Sequence, residues 1–149
     1  MMFYFAYGSN MDRAAMAKRC PQARPLAIAM IDGYRFIIGA DGYASLARAP
    51  GACVHGVLWR LTPRDLAALD TYESIDTGLY RRAIRPVRYK GRTSPALLYL
   101  GRRPGQSKAR RGYLQSVIAA ARDWKLPDEY IARLERRAPR ASPAAGARA

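Results

Sequence analysis

Two short constellations in this 149-residue chain carry groups that could do chemistry. The first is Tyr7-Gly8-Ser9-Asn10, where an apolar, aromatic run gives way to small residues and then to a helix start. Backbone N–H groups at such an exit point outward, and glycine lets a ligand come close, which suits a carboxylate or a phosphate. The loop is too short for a P-loop and lacks the Lys-Ser/Thr pair at the required distance. An ordinary strand-to-helix turn is the competing reading. The second is Glu73, one of three glutamates. Glu129 and Glu135 lie among basic residues of a C-terminal helix pattern and read as surface partners of little stability value. Glu73 ends a helical segment and enters Ser74-Ile75-Asp76-Thr77-Gly78, with Tyr72 and Tyr80 nearby. Apolar and aromatic walls raise a carboxyl pKa by desolvation. General acid/base chemistry near neutral pH needs such a raised pKa. A solvated loop carboxylate is the alternative at this position.

The remaining reactive side chains form no recognisable centre. Cys20 and Cys53 have neither a metal-ligand spacing nor a CxxC pairing, and they read as two reduced thiols. A cysteine nucleophile would need a base. The single histidine, His55, falls in the apolar row His55, Val57, Trp59, Leu61 and reads as a packed, hydrogen-bonded side chain. No metal cluster is offered.

Those groups must be positioned by the elements around them. Met2–Tyr7 reads as a buried strand running into Gly8-Ser9-Asn10. Met11–Cys20 reads as a short helix capped by Asn10 or Asp12 and closed at Cys20-Pro21. Leu26–Ile31 and Tyr34–Ile38 flank Asp32-Gly33, a strong local hairpin signal. Gly39–Gly42 is the next turn, Tyr43–Ala47 a short strand broken at Ala49-Pro50-Gly51, and Cys53–Leu61 another strand. Thr62-Pro63-Arg64-Asp65 carries the N-cap, first-turn proline and acidic partner of a helix start. Arg81–Tyr89 and Pro95–Leu100 read as strands around a Lys90–Thr93 turn. Gln106–Asp123 reads as the longest helix, with Ser107 as its cap and an apolar stripe of Tyr113, Leu114, Val117, Ile118 and Ala121. Leu126-Pro127 opens a last helix through Arg137. The order is α+β, with a mixed sheet long enough to curl into a barrel, and lacks regular βαβ alternation. Residues 1–137 read as one domain and residues 138–149 as a loose Ala/Pro/Arg tail.

Composition limits the partners. Half of the residues are apolar, so the chain can fold around a core. No run of about 18 apolar residues suggests a membrane span. The start MMFYFAYGSN has no signal-peptide features, so a cytoplasmic protein is expected. The net charge is +15, from 26 basic and 11 acidic residues. From Arg81 to Arg111 there are eleven basic residues and no acidic one. That stretch could neutralise phosphates, or it could be a solvated face. A non-catalytic module binding nucleic acid or another polyanion through residues 81–111 is therefore the second functional reading, although no base-reading motif accompanies the charge.

Taken together, the two constellations narrow the choice. Phe3-Tyr4-Phe5-Ala6-Tyr7-Gly8-Ser9-Asn10-Met11 strongly resembles the opening of the γ-glutamylcyclotransferase-like family. Gly56-Val57-Leu58-Trp59, then Leu66 and Leu69-Asp70-Thr71-Tyr72-Glu73, then Gly78-Leu79-Tyr80, resemble that family in order and spacing. So do Tyr113 and Leu126-Pro127-Asp128-Glu129-Tyr130. The resemblance spans Met2 to Leu134. It implies a small mixed β-barrel surrounded by helices, acting on a small-molecule γ-glutamyl substrate without metal or cofactor. In that family the α-amine of the substrate attacks its own γ-carbonyl and releases 5-oxoproline. Carried over residue by residue, Glu73 would be the general acid/base. Tyr4, Phe5, Ala6, Tyr7, Gly8, Ser9 and Asn10 would form the substrate-binding loop, with Tyr80 and Tyr113 as further contacts. Ser74 departs from the glycine that many relatives have after the glutamate.

Overall fold

The computed structural model describes residues 2–73, 78–102 and 105–137. Five strands, β1 (Met2–Ala6), β2 (Arg24–Ile38), β3 (Ala44–Leu61), β4 (Tyr80–Tyr89) and β5 (Arg92–Gly101), close into a barrel in the order β1-β3-β2-β4-β5. Closure is mixed: β1 pairs antiparallel with β3 and parallel with β5, the latter at Tyr4↔Leu97. The helices are α1 (Arg13–Arg19), α2 (Pro63–Tyr72), α3 (Tyr113–Asp123) and α4 (Asp128–Arg137). This is the expected α+β barrel. Ser74 and the expected tail 138–149 lie outside the described residues.

The core of the barrel is filled by apolar side chains of these strands. Phe5, Ile31, Val54, Leu58, Leu61 and Leu98 are wholly buried. Each contributes about 1.5–3 kcal/mol relative to exposure. Leu69 of α2 and Leu114, Val117 and Ala121 of α3 extend this core to the helices.

Three local expectations are corrected. Asp32-Gly33 does not reverse the chain. Both flanking apolar runs belong to one strand, β2, and both pair with β3 (Ile31↔Val54, Phe36↔Leu46). The register jumps between Asp32↔Cys53 and Tyr34↔Arg48, so Asp32-Gly33 serves as a bulge, with Gly33 at φ +82°. A long antiparallel ladder buries more of each run than a two-residue hairpin could. For the same reason Ala49-Pro50-Gly51 does not end β3. It bows out opposite Gly33, where Pro50 has no ladder partner to lose. The reversal is at Gly39–Tyr43, as the second turn signal indicates, with the Gly39 amide donating to the Tyr43 carbonyl at 2.8 Å.

The third correction concerns the predicted helix Gln106–Asp123, which starts only at Tyr113, after Gly112 at φ +77°. The apolar stripe itself begins at Tyr113, so residues 106–112 have no face to bury. Ser107 is not a cap: its amide donates to the Ile38 carbonyl at 3.1 Å and its hydroxyl to the Gly39 carbonyl at 2.7 Å. At the first helix, Ser9–Met11 forms a separate 3-10 turn, and Asp12 caps α1 by accepting from the Ala14 amide at 3.1 Å. Asn10 is thereby freed from capping.

Candidate active site

The position of Glu73 is fixed from the far end of α2. Thr62 and Asp65 form a reciprocal capping box at its start, with Pro63 in the first turn. That pins the helix register. Leu66, Leu69 and Glu73 then share one face by the helical period. Leu69 is wholly buried, so the same face carries Glu73 to the barrel mouth. Glu73 is the C-cap, its amide bonded to the Leu69 carbonyl at 2.8 Å.

Opposite lies the exit of β1. A narrow cleft of about 40 Å³ is lined by Tyr4, Tyr7, Gly8, Ser9, Asn10, Ala44, Glu73, Tyr80, Tyr99 and Tyr113. One water needs about 10–15 Å³, so the cleft takes a small, compact group. Of the predicted site residues, the cleft brings together Glu73, Tyr4, Tyr7, Gly8, Ser9, Asn10, Tyr80 and Tyr113. Two do not reach it. Strand alternation sends Phe5 to the other side of the ladder from Tyr4, where its ring packs against Gly56. Ala6 is buried and offers only a methyl.

Half-buried Glu73 sits among these rings. Burial pushes its carboxyl up to about 7, Arg19 pulls it back, and the Asp41 carboxylate adds to the rise. The tyrosines stay neutral: burial raises the phenols of Tyr4, Tyr7, Tyr80, Tyr99 and Tyr113. Their hydroxyls divide into two kinds. Tyr7 donates to the Tyr99 carbonyl, Tyr80 to the Ala44 carbonyl at 3.1 Å, and Tyr99 to Asp70 Oδ1 at 2.8 Å. Tyr4 and Tyr113 instead accept, from Asn10 Nδ2 at 2.9 Å and from the Ala44 amide at 3.2 Å. Among the described residues their own protons have no acceptor, so both can donate into the cleft.

The 3-10 turn supplies further donors. Its internal bonds run from the Met11 and Asp12 amides to the Gly8 and Ser9 carbonyls, both at 3.1 Å. The amides of Gly8 and Asn10 have no backbone acceptor among the described residues, as expected for the first residues of a helical turn, while the Ser9 amide is turned to the Tyr113 hydroxyl.

Sequence reasoning missed four contributors. Ala44 acts through its backbone, which no side-chain signal reveals. Tyr99 was visible as the one polar-tipped ring in the apolar run Ala96–Leu100. Asp70 ties α2 to β5 through Tyr99, and Arg82 lies 3.7 Å from it. Arg19 stacks its guanidinium 3.8 Å from the Tyr72 ring centre and donates to Asn10 Oδ1. His55 lies outside the cleft, packed on Tyr130 with ring centres 4.8 Å apart and its Nε2 3.6 Å from Cys53 Sγ. Among the described residues no group of three or more His, Cys, Asp or Glu side chains could hold a metal ion, and no helix is long and apolar enough to cross a membrane.

A cleft that joins one carboxyl of raised pKa to a ring of neutral hydroxyls and open amides suits proton transfer on a bound polar substrate. Comparison with known proteins agrees. The γ-glutamylcyclotransferase of Mus musculus is 26% identical over 143 residues, covering 89% of this chain and 76% of its own. That of Homo sapiens is 25% identical with the same coverage. A solved γ-glutamyl cyclotransferase structure superposes with a TM-score of 0.87 at 24% identity, over 95% of this chain and 90% of that one, which shows a shared fold. The family model "Gamma-glutamyl cyclotransferase, AIG2-like" matches residues 4–126. The chain belongs to the γ-glutamyl cyclotransferase, AIG2-like family of cyclising enzymes.

Proposed function

We propose that this enzyme releases 5-oxoproline from a γ-glutamyl amine, peptide or amino acid, with Glu73 as its single general acid/base. The observation that carries the reading is the Glu73 carboxyl, pushed up to about 7 and facing the Gly8–Asn10 turn across one narrow cleft. The free-base α-amine of the donor attacks its γ-carbonyl carbon and forms the lactam C–N bond. The amine proton passes to the Glu73 carboxylate. Glu73 then returns it to the departing nitrogen as the old amide C–N bond breaks. A group with a pKa near the working pH serves both transfers.

The rest of the rate comes from holding the donor folded. Ring closure is intramolecular, and effective molarities of about 10⁵ M or more correspond to roughly 7 kcal/mol. The amides of Gly8 and Asn10, without a backbone acceptor among the described residues, suit the α-carboxylate of a glutamyl head. The Tyr4 and Tyr113 hydroxyl protons suit the γ-carbonyl oxygen as charge develops on it. The narrow cleft accommodates the compact head and leaves the amine side at the mouth.

No observation favours the polyanion-binding alternative. Within the basic stretch, Arg85 donates to the Tyr34 hydroxyl at 3.0 Å, Arg88 forks onto Asp32 at 2.6 and 2.8 Å, and Arg110 donates to the Asp41 carbonyl at 3.0 Å.

The test is Glu73→Gln. It retains the fold by circular dichroism and loses 5-oxoproline release, followed by mass spectrometry across a panel of γ-glutamyl compounds. Turnover at the wild-type rate would remove Glu73 from the mechanism.

A further inference from the structure

The cleft depends on which way one amide faces. Asn10 is 3% exposed, and both ends of its side chain are engaged. Its Nδ2 donates to the Tyr4 hydroxyl at 2.9 Å and lies 3.5 Å from Glu73 Oε1. Its Oδ1 receives the Arg19 guanidinium. An asparagine amide can turn over, exchanging its donor and acceptor ends at little steric cost. If Asn10 did so, its oxygen would face Tyr4 and Glu73. Tyr4 would then spend its proton on Asn10, and the Glu73 carboxylate would meet another oxygen.

We propose that Arg19 is a positioning residue that fixes the Asn10 amide in one orientation and so sets the direction of the hydrogen bonds in the cleft. The side chains' donors and acceptors decide the orientation. A guanidinium has donors only and cannot be deprotonated in a protein. Whatever faces it must accept, so the amide oxygen turns to Arg19 and the NH₂ turns to the cleft. Tyr4 then accepts from Asn10 and keeps its own proton for the substrate, and Glu73 is offered a donor that favours its ionised form.

Arg19 is itself held on two sides. Its guanidinium lies on the Tyr72 ring, 3.8 Å from the ring centre, and Tyr72 is the residue before Glu73. One side chain at the end of α1 therefore joins the β1 exit to the end of α2, the two elements that form the cleft. Arg19 does not line the cleft itself; its hydrogen bond reaches the cleft through Asn10.

The groups that face Glu73 from the other elements have the opposite influence. Asp41, from the turn between β2 and β3, disfavours its ionised form, as does burial among Tyr4, Tyr7, Tyr80, Tyr99 and Tyr113. Arg19 is the cation that opposes them.

The role of Arg19 rests on Glu73 as acid/base, so its test includes a readout that needs no turnover. With three glutamates in the chain, ¹³C-labelled glutamate makes the Glu73 carboxyl separable by NMR. Arg19→Met and Arg19→Gln are compared with Arg19→Lys, which restores a donor-only cation. In the Met and Gln variants the Glu73 carboxyl titrates above its wild-type value by about half a unit or more, the Asn10 side-chain amide resonances move, and kcat falls about tenfold or more. Arg19→Lys recovers most of both effects. Wild-type titration of Glu73 and an unmoved Asn10 amide in folded Arg19→Met and Arg19→Gln would overturn the proposal. So would a Lys variant as impaired as they are. If Glu73→Gln keeps its activity, the catalytic reading fails, while the titration still decides the link from Arg19 to Glu73.

Discussion

Gly8 and Tyr113 occupy adjoining parts of one small space: a Cβ on Gly8 would stand 2.8 Å from the Tyr113 hydroxyl and 3.2 Å from the Ala44 methyl. The φ of Gly8, −120°, lies outside the left-handed region, so the demand for glycine here is spatial. Gly8→Ala is expected to push the Tyr113 oxygen off the Ala44 amide. Misplacing a substrate-positioning group by about 1 Å costs up to about 100-fold in rate, and overpacking costs about 1–3 kcal/mol. Adding Tyr113→Phe removes the clashing oxygen. The double variant should regain melting temperature without regaining activity. Strictly additive losses in the melts would show that the two side chains do not share space.

The raised carboxyl predicts a pH profile. The acid limb of kcat/KM should fall near pH 7 for the free enzyme, with the substrate amine contributing its own limb at higher pH. Assignment comes from Asp41. Its carboxylate adds to the rise of Glu73, so Asp41→Asn should move the lower limb down and leave the upper one in place. A limb near the ordinary glutamate range in wild type would place Glu73 in bulk water.

The same carboxyl links pH to stability. Folding raises its pKa from about 4.5 to about 7, so the folded chain binds more protons than the unfolded chain between those values. Stability from this group is therefore greatest below about pH 4.5 and declines as pH rises to about 7. A glutamine has no such dependence. Glu73→Gln should melt higher than wild type at pH 8 by a few degrees, with the difference shrinking towards pH 4. Because the side chain is half-exposed, the gain is expected to be smaller than the full pKa shift implies. Equal melting differences at both pH values would contradict the raised pKa.

Tyr99 joins α2 to the barrel through its 2.8 Å bond to Asp70. Asp70 lies three residues before Glu73 on the same helix. Tyr99→Phe removes the donor and leaves Asp70 with Arg82, whose side chain is 49% exposed. The expected cost is about 1 kcal/mol, or about 2–4 °C in melting temperature. A rise in KM larger than the fall in kcat would fit a looser cleft.

Much of this site was legible because its parts are local in sequence. Tyr7-Gly8-Ser9-Asn10 and the Thr62–Glu73 helix each declare themselves within a dozen residues, through a small-residue strand exit and a capping box. The barrel was legible as strand count and α+β order. The bulge at Gly33 was not: Asp-Gly suits either a hairpin or a bulge, and the choice depends on β3, whose pairing residues lie far along the chain. Nor was the start of α3, where Gln106–Gly112 lacks an apolar face but carries no proline to stop a helix. Arg19 and Tyr99 escaped for a related reason. Each contacts a residue distant in sequence, Tyr72 for Arg19 and Asp70 for Tyr99; one arginine of 22 has no local mark, and the polar-tipped ring of Tyr99 marks the residue but not its partner.

Gly56 tests whether the β1 exit depends on close strand packing. β1 pairs with β3 through Ala6↔Val57 and Phe5↔Leu58. A Cβ on Gly56 would fall inside van der Waals contact of the Ala6 carbonyl oxygen and 3.0 Å from two carbons of the Phe5 ring. The ring can move, but the carbonyl belongs to the strand that leads into Tyr7 and Gly8. Gly56→Ala should therefore cost about 2–4 kcal/mol, or about 5–15 °C. Shrinking the ring with Phe5→Leu should fail to rescue it, because the backbone contact remains. Full rescue by Phe5→Leu would show that the ring, and not the approach of β1, makes glycine necessary at this position.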